Sequence, residues 1–130
     1  VNLDWGEENR TCGLRVPNSP PQARRVENRL PGADVNPYLA IAATMACGYL
    51  GMKEKIEPRR MVTGRADAVA ELEVPWNIEQ ALDKMLECQE MRDVLTDDFV
   101  RGFVATRWAE FENFKRVISS WEREHLMSSV

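Results

Sequence analysis

Apolar residues recur along this chain first with a period of two and later with a period between three and four. From Arg10 to Pro17, Cys12, Leu14 and Val16 alternate with other residue types, which predicts a strand ended by Pro17; Asn18-Ser19-Pro20-Pro21 then reads as a turn or loop. Residues 24–30 (RRVENRL) alternate again, placing Arg25, Glu27 and Arg29 on one face of a second strand and Val26, Asn28 and Leu30 on the other. Pro31-Gly32-Ala33-Asp34 closes it. Asn36-Pro37 then offers a side-chain cap followed by proline at the first helical position, and the apolar stretch behind it predicts a helix over about 37–50. The stretch from Tyr38 to Met52 reads as a buried helix, since it falls short of the roughly 20 residues needed to span a bilayer.

Lys53 to Pro75 is charged and contains Pro58, Gly64 and Pro75 without a sustained period, so it reads as an exposed excursion with no obvious chemistry. Asn77 can cap a second helix with Ile78, Ala81, Leu82, Met85 and Leu86 on one face, and a short helix around Glu90 to Leu95 follows. Thr96 or Asp97 opens a long one, with Phe99, Phe103, Val104, Phe111, Val117, Ile118 and Trp121 on an apolar stripe. It runs to about Leu126, or about 45 Å if continuous. Two strands and four helices predict an α+β chain. Val1 to Arg10 shows no periodicity and reads as a cut through something larger.

Charge changes this picture in one place. The 130 residues sum to −4, yet Arg10, Arg15, Arg24, Arg25 and Arg29 face only Glu27 between positions 10 and 29, a local +4 that leaves −8 for the rest. That acidity, and the lack of aromatics interleaved with the arginines, disfavour nucleic acid as a partner. Cys12, Cys47 and Cys88 are odd in number, dispersed and form no CxxC. With no charged-then-apolar leader in view, they read as reduced thiols of a cytoplasmic protein.

Guanidinium forks match phosphate oxygens, and a carboxylate supplies a hard oxygen ligand for Mg²⁺, so a strand carrying Arg25, Glu27 and Arg29 suits a polyphosphate and its metal. The plainer reading is a surface ion-pair ladder. Arg10 and Arg15 on a neighbouring strand favour the first, because five arginines without a lysine are an unusual way to cover a solvated surface. Arg10 and Arg15 would face opposite ways on a regular strand unless Gly13 makes a bulge. His125 sits near the end of the last helix, where exposure or the helix dipole explains it better than catalysis. No GxGxxG or P-loop is present, so a nucleotide would be held mainly by side chains.

NRTCGLRVP at 9–17, ARRVENRLPGAD at 23–34 and NPYLAIAATMACGYLG at 36–51 resemble the C-terminal part of the catalytic domain of glutamine synthetases, and VPWNIEQAL at 74–82 continues the likeness more loosely. The resemblance covers nearly all of the chain. It implies that residues 1–35 supply active-site strands and loops and 36–130 a helical part. It implies catalytic roles for Arg10, at the transferring phosphoryl group, and for Arg29, near the γ-carboxyl of glutamate. Arg15 and Arg25 would bind nucleotide phosphate, and Glu27 would ligate Mg²⁺ or Mn²⁺. The implied reaction uses ATP to convert the γ-carboxylate of glutamate to an acyl phosphate, which ammonia then attacks. The wording of residues 27–43 leans towards the γ-glutamylpolyamine and γ-glutamylamide synthetase branch, where a small amine replaces ammonia.

Members of this family form homo-oligomeric rings in nitrogen metabolism. Three departures stand out. The loop between Arg15 and Glu27 is about one residue shorter than in bacterial members, and no tyrosine after Tyr49 could serve as an adenylylation site. Glu27 alone cannot complete a site for two or three divalent ions, so the chain by itself is expected to be inactive. A non-catalytic helical interaction module is the rival reading.

Overall fold

A computed structural model describes residues 2–66 and 74–127. It divides into two compact units, Val1–Pro75 and Trp76–Val130. The composition is α+β.

In the first unit, β1 (Trp5–Glu7), β2 (Leu14–Val16) and β3 (Glu27–Asn28) form a sheet in that order. β1 runs parallel to β2 with Gly6 opposite Arg15, and β3 runs antiparallel to β2 with Arg15 opposite Glu27. The sheet therefore has one strand more than the alternation predicted, because three-residue strands are too short to show a period. Parallel neighbours normally need a connection of a dozen or more residues. Here a turn over 8–13 suffices, helped by Glu8 in the left-handed region (φ 51) and by Gly13. A Cβ at Gly13 would lie 2.2 Å from the backbone oxygen of Asn2, so only glycine lets the turn approach so closely.

A single turn of 3-10 helix, Pro21–Ala23, leads into β3. The helix α1 (Pro37–Lys53) begins as predicted, with the Asn36 side chain accepting from the backbone N–H groups of Tyr38 and Leu39. Its burial was overestimated from sequence. Ala46 is its buried residue, whereas Tyr38, Ile41, Met45, Tyr49 and Met52 are exposed. A helix apolar all round needs cover on every side, which this unit does not supply.

The excursion after Lys53 is mostly exposed where it is described, as expected, and is fastened at a few points. Val62 N–H donates to the Trp5 carbonyl at 3.0 Å, the Trp5 indole donates to the Arg59 carbonyl at 2.7 Å, and Ala66 is fully buried. Residues 67–73 of the same excursion lie outside the described residues.

The second unit is helical: α2 (Ile78–Glu87), α3 (Gln89–Leu95), α4 (Asp97–Lys115) and α5 (Ser120–Leu126). Leu82, Val100 and Val104 form its core, with Ile78, Met85, Leu86, Leu95, Phe103 and Trp108 packed against them. Asn77 caps α2 through Gln80 N–H at 2.8 Å. Thr96 opens α4 from a positive φ of 73°. The long terminal helix predicted to run unbroken to Leu126 is two helices. Ser119 ends the continuity by capping α5 in a reciprocal pair with Glu122, and such side-chain bonds to the backbone compete with helix propagation. Val117, Ile118 and Trp121, read as part of one apolar stripe, lie beyond that break and are exposed.

Candidate active site

Arg15 and Glu27 face each other across the antiparallel pair, which brings a guanidinium and a carboxylate together without any long-range arrangement. Arg15 Nη1 donates to Glu27 Oε2 at 2.7 Å. The other oxygen of Glu27 accepts from Arg25 Nη2 at 2.8 Å and Nε at 3.1 Å, since Arg25 lies two positions away on the same side of the strand line. Glu27 is thus held by both arginines. Arg15 is the better shielded of the two, with 14% of its side chain exposed against 53% for Arg25.

Arg15 donates from its remaining Nη2 to Glu8 Oε2, while Asn18 N–H donates to Glu8 Oε1 at 2.7 Å. Arg15 Nε is buried with no hydrogen-bond partner among the described residues. The bond from Arg15, reinforced by Arg25, holds the Glu27 carboxyl below the usual glutamate value against partial burial, which pushes the other way. Arg15 and then Asn18 N–H lower that of Glu8 likewise. Both carboxylates in turn raise Arg15. Glu8, Arg15 and Glu27 therefore stay ionised together in the neutral range.

Arg29 extends to the turn, its Nη1 donating to the carbonyl of Arg10 at 2.6 Å. Arg10 itself lies in that turn with an exposed side chain, so strand parity does not decide its direction and no bulge at Gly13 is required. Its neighbours are tied down closely. Asn9 Nδ2 donates to the carbonyls of Val62 (3.4 Å) and Gly64 (2.7 Å), and Asn9 Oδ1 accepts from both N–H and hydroxyl of Thr11. The Thr11 hydroxyl accepts from Ala66 N–H at 2.8 Å. On the far side, Asn28 Nδ2 donates to the Thr44 hydroxyl at 2.9 Å and ties β3 to α1.

The structure therefore gathers Arg15, Arg25 and Glu27 into one ion-paired group and connects Arg29 to the backbone of Arg10. Sequence reasoning missed Glu8 and Asn9. Glu8 follows β1 and Arg15 lies in β2, so no single element holds both, and the carbonyls met by Asn9 lie 53 and 55 residues away, so neither left a pattern. One carboxylate can offer a hard oxygen to a cation, but the described residues contain no group of three His, Cys, Asp or Glu able to hold one. His125 stacks on Trp121 at 4.7 Å, an exposed contact within α5. No helix among the described residues is long and apolar enough to cross a membrane.

Comparison with known proteins gives consistent matches. The family described as glutamine synthetase, catalytic domain, matches residues 1–126. The chain is 36% identical over 124 residues to the glutamate–isopropylamine ligase of a Pseudomonas species, covering 93% of this chain and 27% of that protein. It is 33% identical over 118 residues to the γ-glutamylethanolamide synthetase of Streptomyces coelicolor, covering 91% and 25%. It is also 33% identical over 131 residues to the glutamine synthetase of Methanocaldococcus jannaschii, covering 94% and 29%. A solved structure described as apo GmaS without ligand superposes with a TM-score of 0.82 at 26% identity, over 97% of this chain and 30% of that one. The chain spans 25–29% of the length of these three curated relatives.

Proposed function

The chain belongs to the glutamine synthetase family, and from that premise we propose that it is the C-terminal section of an ATP-dependent glutamate–amine ligase. The observation that carries this reading is the cross-strand Arg15–Glu27 pair with Arg25 on the second carboxylate oxygen. Guanidinium groups held by a carboxylate are stored in a compact, oriented form that phosphate oxygens can take over, because phosphate offers the same bidentate acceptor geometry with more charge.

In the proposed reaction a γ-carboxylate oxygen of glutamate attacks the γ-phosphorus of ATP, releasing ADP and forming an acyl phosphate. The amine nitrogen then attacks the acyl carbon, inorganic phosphate leaves, and the amine loses a proton. Arg15 and Arg25 bind nucleotide phosphates, Arg10 neutralises the transferring phosphoryl group, and Arg29 faces the γ-carboxyl of glutamate. All act by stabilising charge rather than by moving protons. Glu27 fits one ligand position of Mg²⁺ or Mn²⁺, and a divalent ion there would offset charge on the phosphates. The other ligands would come from residues outside this chain, so the chain alone is inactive. Residues 1–35 supply the active-site strands and loops, and 36–130 the helical part. The whole protein is a cytoplasmic homo-oligomer.

A small amine in place of ammonia is the favoured variant of this reading, because one of the relatives above is named for isopropylamine as the group it ligates and another for a γ-glutamylethanolamide product. The test is phosphate release by the natural full-length protein with ATP, Mg²⁺, glutamate and, in turn, ammonia, putrescine, isopropylamine and ethanolamine. Turnover with one amine, absent from this chain alone, supports the ligase and names its substrate. A well-folded full-length protein that is silent with all four overturns it in favour of a non-catalytic module.

A further inference from the structure

We propose that Glu8 is a positioning residue for Arg15, keeping its guanidinium from closing onto Glu27 and holding it open to nucleotide phosphate; this rests on the phosphate-binding role given to Arg15 above. Glu8 is fixed on three consecutive sides of the chain that follows β1. Its backbone N–H donates to the Val16 carbonyl at 3.0 Å, its Oε1 accepts from Asn18 N–H at 2.7 Å, and its Oε2 accepts from Arg15 Nη2. Pro17, between the two backbone partners, has no N–H, so Asn18 is the first donor after Val16 that a carboxylate could use to anchor this loop. The backbone of Glu8 itself sits at φ 51, a conformation that glutamate rarely adopts and that persists where surrounding contacts demand it.

The consequence lies in how the Arg15 fork is shared. Its two Nη groups go to different carboxylates, Nη1 to Glu27 and Nη2 to Glu8, which sets the plane of the guanidinium. Without Glu8, Arg15 Nη2 loses its acceptor and can turn to Glu27 Oε1 in competition with Arg25, since a bidentate arginine–carboxylate pair is the preferred geometry of these two groups. Such a two-bond pair would compete with phosphate for Arg15, and with a cation for Glu27, more strongly than the single bond that now joins them. Glu8 therefore splits the arginine between two acceptors, neither of which it satisfies fully.

The test uses the natural full-length protein with Glu8→Ala, Glu8→Gln and, as a control, Arg15→Ala. Glu8→Ala is expected to raise the KM for ATP about tenfold, and Glu8→Gln, which keeps an acceptor for Asn18 N–H but loses the charge, about threefold. The KM for glutamate should stay as in the wild type. An unchanged KM for ATP in both variants overturns the proposal, as does an equal rise of both KM values with a fall in melting temperature, which would mark Glu8 as a loop fastener only. If Glu8→Ala does not fold, Glu8→Gln decides by the same criteria. Activity that disappears in Arg15→Ala but is normal in both Glu8 variants overturns this inference and leaves the ligase reading standing. A wild type without ATP-dependent turnover overturns both.

Discussion

Residues 76–127 close around Leu82, Val100 and Val104, apolar side chains at most 4% exposed, whereas the sheet of residues 2–30 is fastened chiefly by polar and charged contacts around Arg15, Glu27 and Asn9. The two ways of holding a chain together differ in what they leave available. Dispersion and the hydrophobic effect are used up once side chains are packed. An ion pair between an arginine and a carboxylate can exchange partners when a phosphate or a cation arrives, because the charges lose little by changing acceptors. The helical unit therefore keeps its contacts fixed, whereas the sheet holds charged groups that can change partners.

The sharpest way to separate the two regions is Arg15→Ala in the full-length protein. Loss of about 10²- to 10³-fold in kcat/KM for ATP is expected, with hydrogen-exchange protection of α2 and α4 unaltered. The converse change, Leu82→Ala, should cost about 3 kcal/mol of unfolding free energy in the helical unit, read by urea unfolding, and leave the exchange of the β2 and β3 amides as it was. Comparable loss of protection in both regions would show that the comparison is false.

Gly13→Ala tests the polar unit by shape. Its Cβ would meet the Asn2 carbonyl oxygen at 2.2 Å and Leu30 at 2.7 Å, so the turn between β1 and β2 must open, at about 2 kcal/mol. Amide exchange at Leu14 and Arg29, which bond to Asp4 and Gly13 carbonyls, should accelerate first.

The smallest effect is that of pH. Glu8 and Glu27 have folded values lowered from 4.5, and Asp97, held by Arg101 and Arg92, one lowered from 3.8. A lowered folded value means stability that is present above the unfolded value and is lost as pH falls through the folded one. Acid titration followed by residue-specific exchange should therefore show weakening around both Arg15 and Asp97 as pH falls below the ordinary carboxylate range. Unaltered exchange around Arg15 until the whole chain unfolds would mean that the carboxylates of the sheet contribute nothing of their own.

Much of the secondary structure was legible because its signals are local. Asn36 before Pro37, Asn77 before Ile78 and the three-and-four spacing of Leu82, Met85 and Leu86 act within one or two helical turns. The charge imbalance between Arg10 and Arg29 marked the candidate site, and the pairing of Arg15 with Glu27 needed only two short strands to meet. The break at Ser119 escaped because the apolar stripe continued through it, although Ser119 and Glu122 already spelled a cap.

By itself, the sequence determined the helix starts, the alternating segments and the concentration of arginine around a single glutamate, since each depends on residues a few positions apart. Only the tertiary structure decided that β1 joins the sheet, that residues 59–66 fold back onto Trp5 and Asn9, and that Glu8 takes half of the Arg15 fork. The contacts of residues 59–66 join positions more than fifty residues apart, and the Glu8 contact joins a turn to a strand, so that no single element holds both residues. No local propensity encodes them, because they exist only when the whole unit offers donors and acceptors at matching distances.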